Sequence, residues 1–71
     1  MDSKISIKNV DDLMKHSDLI GFDVMKDIDT RIRDWLSSGG KDGDPYIQQQ
    51  FRYAEMVANH NKKKLEEMEN E

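Results

Sequence analysis

Seventy-one residues with no cysteine, 37% charged side chains and a formal net charge of −4 predict one small domain without disulfides or thiolate-bound metals. The acidic balance disfavours nucleic acid as a partner, because phosphate neutralisation by Lys and Arg dominates that affinity. No apolar run approaches the length of a signal-peptide core or a membrane span, so we expect a cytoplasmic protein without membrane association.

The first predicted helix is short and follows an extended N-terminal segment. Ile5 and Ile7 lie between polar neighbours in residues 1–8, a pattern too brief for a strand in an otherwise helical chain. Asn9 is a typical N-cap, and two aspartates follow it where the helix dipole favours negative charge. We therefore expect a helix over residues 10–16. Its apolar face should pack across the longer helices and consists of Val10, Leu13, Met14 and Ser17.

The second predicted helix begins at Phe22 or after Asp23 and ends near Ser38. Residues 17–22 form an apolar connection, which should pack against the end of the core. Apolar residues at helical spacing define one face that we expect to be buried, formed by Val24, Met25, Ile28, Ile32, Trp35 and Leu36. On the outer surface, two acid-before-base pairs at i, i+4 should each contribute about 0.2–0.5 kcal/mol, and these are Asp27 with Arg31 and Asp29 with Arg33.

A stop signal and a start signal separate the second helix from the third. Gly39 and Gly40 follow the second helix, and a glycine there can take the left-handed conformation that satisfies the last carbonyls. Asp44 and Pro45 then predict an N-cap carboxylate and a first helical residue that needs no N–H. The short connection favours an antiparallel helical hairpin. Trp35 should pack between its arms, and its role as a recognition anchor is the less favoured alternative.

The third predicted helix begins at Pro45 and carries a broad apolar arc. Two adjacent rows form this arc: Ile47, Phe51, Ala54, Ala58 and Leu65 in one, and Tyr46, Gln50, Tyr53 and Val57 in the other. An arc nearly half the circumference wide is too broad for one neighbouring helix. It should therefore also contact the N-terminal segment, or else a second protein.

Polar residues after Ala58 predict that the third helix begins to fray there, because asparagine is a weak helix former. Leu65 and Met68 extend the apolar row only if a partner covers them. The predicted fold is all-α, with three helices: a short N-terminal helix packed on an antiparallel helical hairpin. We expect a single three-helix domain over residues 1–61 and a charged, frayed C-terminal tail over residues 62–71.

No pattern in the chain predicts catalysis, a metal or a cofactor. Residues 41–44 place two carboxylates beside Gly43, but they lack the further oxygen ligands and the closing glutamate of a calcium loop. His16 and His60 do not have the spacing that would give a shared metal-binding face. A hairpin of this size rarely encloses a pocket that can pair or tune catalytic groups, so we expect a protein that is not an enzyme.

The candidate partner-binding residues lie on the third helix and are Tyr46, Gln49, Gln50, Tyr53 and Met56. Tyrosine brings rigid amphipathic area, so this row is a candidate docking or homodimer surface. It is equally consistent with tyrosines that pack on the neighbouring helix with their hydroxyls in water. The alternative function is a nucleic-acid-associated regulator, in which glutamines and Arg52 contact base edges and the lysines of residues 62–64 contact phosphates.

A further pattern lies where the second and third predicted helices meet: RIRDWLSSGG at residues 31–40, followed by DPYIQQQFRYA at residues 44–54. In the order Asp-Trp, Gly-Gly, Asp-Pro-Tyr the chain resembles a family of small uncharacterised proteins from prophages and other mobile elements of Gram-positive bacteria. The resemblance covers about residues 22–54, and a proline that the family has near Phe22 is absent. The resemblance implies a phage-type, cytoplasmic accessory protein, and it transfers no site residues. From the residues themselves we predict a non-enzymatic adaptor or regulator that acts through protein contacts.

Overall fold

The computed structural model describes residues 4–41 and 43–69, without the side chain of residue 69. Within these residues the chain forms four helices and no strand: α1 (Val10–Lys15), α2 (Ser17–Ile20), α3 (Phe22–Ser37) and α4 (Pro45–Glu69). The all-α class is confirmed, whereas the predicted number of three helices is wrong. The additional helix is α2, which occupies the segment predicted to be an apolar connection.

α2 is a single turn between two breaks in the chain. His16 ends α1, and its carbonyl accepts from the N–H groups of Leu19 and Ile20. Gly21 follows with φ 94° and ψ 152°, a combination that is essentially confined to glycine and redirects the chain into α3. One turn of helix contains no repeat of the apolar period, so periodicity cannot distinguish it from a connection.

The predicted helix-end signals are present at α1 and α3. The side chain of Asn9 accepts from the N–H of Asp12 at 2.8 Å, which confirms the predicted N-cap. At the end of α3, Gly39 has φ 95° and its N–H donates to the carbonyl of Leu36, while the N–H of Gly40 donates to the carbonyl of Trp35. This pair of bonds is a Schellman motif, which the glycines predict.

All four helices and the N-terminal segment contribute side chains to the core. Its buried residues are Ile5, Ile7, Leu13, Ile20, Ile28, Ile32, Ile47, Phe51, Ala54 and Ala58. Of the predicted apolar rows, those of Ile28 and Ile32 on α3 and of Ile47 to Ala58 on α4 are buried, whereas Tyr53 in the adjacent row of α4 is 42% exposed. The rows are not buried at their ends, where Leu36 and Leu65 are exposed.

The N-terminal segment, residues 4–8, runs antiparallel to α4 and covers part of its broad apolar arc. Asn59 binds Ile5 through both of its amide atoms: Oδ1 accepts from the Ile5 N–H at 2.8 Å, and Nδ2 donates to the Ile5 carbonyl at 3.0 Å. Glu55 Oε2 accepts from the N–H of Ile7 at 2.9 Å. Side chains of α4 thus form the hydrogen bonds to the backbone of this segment that a neighbouring β-strand would otherwise form. Residues 1–3 of the predicted extended segment lie outside the described residues.

Asn59→Asp is expected to lower the free energy of unfolding by about 2 kcal/mol, because the side chain loses the donor that satisfies the Ile5 carbonyl. The same Nδ2 group also donates to the carbonyl of Glu55 at 2.9 Å, so two acceptors lose a partner. Urea denaturation measures this loss. His60→Asp introduces the same acid at an exposed neighbouring position and should stay within about 0.5 kcal/mol of wild type. Equal losses in the two variants would show that the Asn59 bonds do not fix the segment.

α4 continues past Ala58 as a regular helix to Glu69. Asparagine has a low intrinsic helix propensity, but Asn59 and Asn61 both form tertiary bonds here, and Asn61 Nδ2 donates to the carbonyl of Leu19. These contacts stabilise the helix where propensity alone predicts fraying. The division into a domain over residues 1–61 and a tail over residues 62–71 stays a prediction, and residues 70 and 71 lie outside the described part.

Candidate protein-binding surfaces

Trp35 connects α3, the loop and α4. Its indole Nε1–H donates to Asp44 Oδ2 at 3.1 Å, and its ring lies 4.8 Å from the ring of Tyr46 at an angle of 32°. The prediction that Trp35 packs between the arms near Tyr46 is confirmed. The indole is partly buried in this position, and its alternative role as a recognition anchor stays a prediction.

Asp44 precedes α4 as predicted, but its carboxylate has a different role. Its backbone carbonyl accepts from the N–H groups of Ile47 and Gln48, the first bonds of α4. The carboxylate turns back, and Oδ2 accepts from the N–H of Lys41 at 2.8 Å as well as from Trp35. The predicted capping of the first α4 amides by this side chain is thus replaced by a bond that closes the loop onto the indole.

The five predicted partner-binding residues do not share one exposed row. Gln50 is buried, and its Nε2–H donates to the carbonyl of Tyr46 at 3.4 Å. Tyr46 is half-buried against Trp35. Gln49, Tyr53 and Met56 remain exposed on the outer face of α4. Their part in binding stays a prediction, restricted by the geometry to these three side chains.

Another apolar surface lies between α1 and α3, and sequence reasoning did not identify it. We call it the α1–α3 groove: it is open to solvent, has a volume of about 390 Å³, and carries Lys26 and Asp29 at its rim. Phe22 is 78% exposed there. The apolar lining consists of Val10, Leu13, Met14, Phe22, Met25 and Ile32.

The α1–α3 groove exists because α1 is too short to bury its whole apolar face. Of the predicted face, Leu13 is buried, whereas Val10 and Met14 are exposed. Phe22 is the first residue of α3, directly after the turn at Gly21, and no later turn of the chain covers it. The sequence held one signal for the groove: this region contains more apolar side chains than a helix of six residues can bury.

The charged groups near the groove are partly paired. Asp29 Oδ2 contacts Arg33 Nε at 2.9 Å, and Asp27 Oδ2 contacts Arg31 Nη2 at 3.3 Å, so both predicted i, i+4 pairs are confirmed. These side chains are more than half exposed, so the pairs stabilise the helix only slightly. The rim is therefore mixed in charge around an apolar floor.

Among residues 4–41 and 43–69, no helix is both long and apolar enough to cross a membrane. In the same part of the chain, no three His, Cys, Asp or Glu side chains are grouped so that they could hold a metal ion.

A family described as a family of unknown function (DUF6877) matches residues 7–59, which are 53 of the 71 residues. The matched range begins at the buried Ile7, includes the whole α1–α3 groove, and ends at Asn59. The expectation of an uncharacterised family is confirmed. No curated protein and no solved structure gives a significant match.

Proposed function

The chain belongs to this family of unknown function, DUF6877, and on that premise we propose that it is a small accessory or regulatory protein that acts by binding another protein, without catalysis. A cytoplasmic, phage-related setting is part of the proposal. It is supported by the resemblance at residues 31–54 and by the acidic, polar composition.

The observation that carries the proposal is the exposure of Phe22 in the α1–α3 groove. Burying a phenylalanine side chain contributes about 1.5–3 kcal/mol, so a folded domain that leaves one 78% exposed forgoes a large part of its available stability. Val10 and Met14 continue the same apolar surface. A contiguous exposed apolar patch with a polar rim is typical of a protein-binding site.

The shape of the groove indicates what kind of partner segment fits. Two helices form its walls, and such grooves receive the apolar face of an amphipathic helix, with anchors spaced i, i+4 or i, i+7. Met14 and Met25 at the groove supply flexible, polarisable contacts that adapt to such anchors. Lys26 and Asp29 at the rim can pair with charges of either sign on the partner.

The test compares Phe22→Ser with Tyr53→Ser in binding experiments with extract of the native host. Both substitutions remove an exposed aromatic ring, one from the groove and one from the outer face of α4. We expect Phe22→Ser to weaken capture of a partner about 30-fold, the effect of losing a hot spot worth about 2 kcal/mol, and Tyr53→Ser to retain it. A helical CD spectrum like that of wild type confirms that each variant is folded.

If Tyr53→Ser weakens capture of the partner and Phe22→Ser does not, the binding site lies on the α4 residues predicted from the sequence. If both variants keep every partner, the proposed mode of action is wrong. Retention on heparin at low salt, lost at high salt, would favour the nucleic-acid-associated regulator instead, because counterion release makes that binding strongly salt-dependent.

A further inference from the structure

The N-terminal segment is bound to α4 through its backbone, and the spacing of this contact is regular. Asn59 accepts from the N–H of Ile5 and donates to its carbonyl, and Glu55 accepts from the N–H of Ile7. The two α4 residues are separated by one helical turn, a rise of about 6 Å, and the two isoleucines by about 6.6 Å of extended chain. An i, i+4 pair on a helix is therefore in register with every second residue of an extended segment.

The side chains of this segment alternate between the core and solvent. Ile5 is 9% exposed and Ile7 is 2% exposed, whereas the residues before, between and after them are exposed. A period of two is the pattern of an extended segment with one buried face. The contact thus uses the backbone and two apolar side chains, and it places no requirement on the residue between them.

An open depression continues the path of the segment toward the first turns of α4. It has a volume of about 390 Å³ and lies between residues 8–11 and the start of α4, where Gly43, Gln48 and Phe51 line it. The segment does not fill the depression, because the chain turns into α1 at Asn9. A separate extended segment has no such helix to form, so it can continue along α4 into this space.

We propose that α4 binds an extended segment of another protein in place of residues 4–8, with Asn59 and Glu55 bonded to the backbone of that segment. The partner segment carries two apolar side chains separated by one residue, and it continues into the depression at the start of α4. Among the described residues, this site shares none with the lining of the α1–α3 groove. It is therefore a second binding site, for an extended chain and not for a helix.

The observations favour a partner of another kind over a second copy of this chain. Exchange of residues 4–8 between two copies forms no contact that each copy lacks, and it costs association entropy. A different segment that enters the depression gains contacts with Gln48 and Phe51 that the chain's own segment does not make along this path. Those contacts can offset the cost of association.

The chain's own segment competes with any partner for the site. A tethered segment acts at an effective concentration on the order of millimolar, and a site that is only fractionally open binds its ligand more weakly by that fraction. Ile5→Ser weakens the tethered segment by replacing a buried apolar side chain and leaves α4 unchanged. This variant should therefore bind a separate segment more tightly than wild type does.

An NMR titration with the blocked peptide Lys-Ile-Ser-Ile-Lys tests the site in the isotope-labelled 71-residue chain. The readout is the side-chain amide signal of Asn59. We expect the peptide to bind Ile5→Ser at least about tenfold more tightly than wild type. Ser6→Ala is the matched control, because it changes an exposed residue of the same segment and should bind the peptide as wild type does. Equal affinities of the two variants would contradict the proposal.

CD spectra show whether each variant keeps its helices, and the wild-type chain supplies a test that needs no substitution. At millimolar peptide concentration, the Asn59 side-chain signal of wild type should shift, since the peptide then matches the effective concentration of the tethered segment. An Asn59 signal that does not move in wild type or in Ile5→Ser would overturn the proposal.

Variant peptides test how the segment is recognised. N-methylation of the first isoleucine removes the donor to Asn59, and the order Lys-Ile-Ile-Ser-Lys breaks the alternation, so each should bind at least about tenfold more weakly. The longer peptide Lys-Ile-Ser-Ile-Lys-Ser-Ile should bind more tightly and shift the signals of Gln48. Full binding of the N-methylated peptide, or no gain from the longer one, would overturn the proposal. A wild-type dimer that Ile5→Ser loses would assign the site to a second copy instead.

Discussion

Gly40→Ala is expected to lower the free energy of unfolding by about 3 kcal/mol, although the substitution adds only one methyl group. A Cβ atom at this position would lie 2.2 Å from Trp35 Nε1 and 2.4 Å from Cδ1, distances that no side-chain contact tolerates. The indole cannot move away freely, because Tyr46 packs on one of its sides and Asp44 binds its N–H. Overpacking of about 1–3 kcal/mol therefore adds to the loss of a hydrogen bond to a charged group, about 1.5–3 kcal/mol.

Thermal unfolding followed by tryptophan fluorescence measures this effect directly. The midpoint should fall by about 12–24 °C, and the emission should shift to longer wavelength as the indole becomes more exposed. Gly43→Ala is the control in the same loop, since a Cβ at Gly43 meets no atom within 4 Å and its φ is not positive. A Gly40→Ala variant as stable as Gly43→Ala would show that the loop does not hold the indole as described.

Ile28→Ala is expected to lower the free energy of unfolding by about 4 kcal/mol. Ile28 is 0% exposed on the face of α3 that packs in the core. Removing its methyl groups loses transfer free energy and leaves a cavity, and such substitutions cost about 2–5 kcal/mol. A domain of this length has a total stability of about 4–11 kcal/mol, so the variant should be largely unfolded at moderate urea concentrations.

A graded series separates the cavity from other effects. Ile28→Val should cost about 0.5–1.5 kcal/mol, since it removes a single methylene. Leu36 lies on the same helix and is 43% exposed in the wild-type protein. Leu36→Ala should therefore lower the free energy of unfolding by at least about 2 kcal/mol less than Ile28→Ala does. The midpoint of urea denaturation should shift without a change in slope. Equal losses at Ile28 and Leu36 would place the core elsewhere.

The hairpin was predictable because its signals are local. The glycine pair that ends α3 and the Asp44–Pro45 pair that precedes α4 act within one or two turns, so no tertiary information is needed to place these ends. The capping of α1 by Asn9 and the surface ion pairs of α3 follow from the same short-range geometry. In each case the residue and its partner lie within five positions of each other.

The features that the sequence did not reveal depend on distant partners. Gln50 lies at the edge of the apolar arc, and its burial follows only once the neighbouring segments are placed on α4. The carboxylate of Asp44 binds Trp35, nine residues earlier, in preference to the nearest amides of α4. The apolar pattern of the sequence does not show whether Phe22 is buried or exposed. Its exposure follows from the short length of α1, which leaves this side chain uncovered. The helical periodicity of apolar residues identifies the apolar face of a helix, but it does not show how many neighbouring elements pack against that face.

The attachment of Ile5 to Asn59 joins residues that are 54 positions apart. Closing a loop of that length in the unfolded chain costs about 3.5 kcal/mol of chain entropy. Such a non-local contact forms late in folding and opens early, while the hairpin of α3 and α4 is still intact. The amide protons of Ile5 and Ile7 should therefore exchange with solvent deuterium faster than those of the hairpin core, which makes the segment a separate unit of native-state opening.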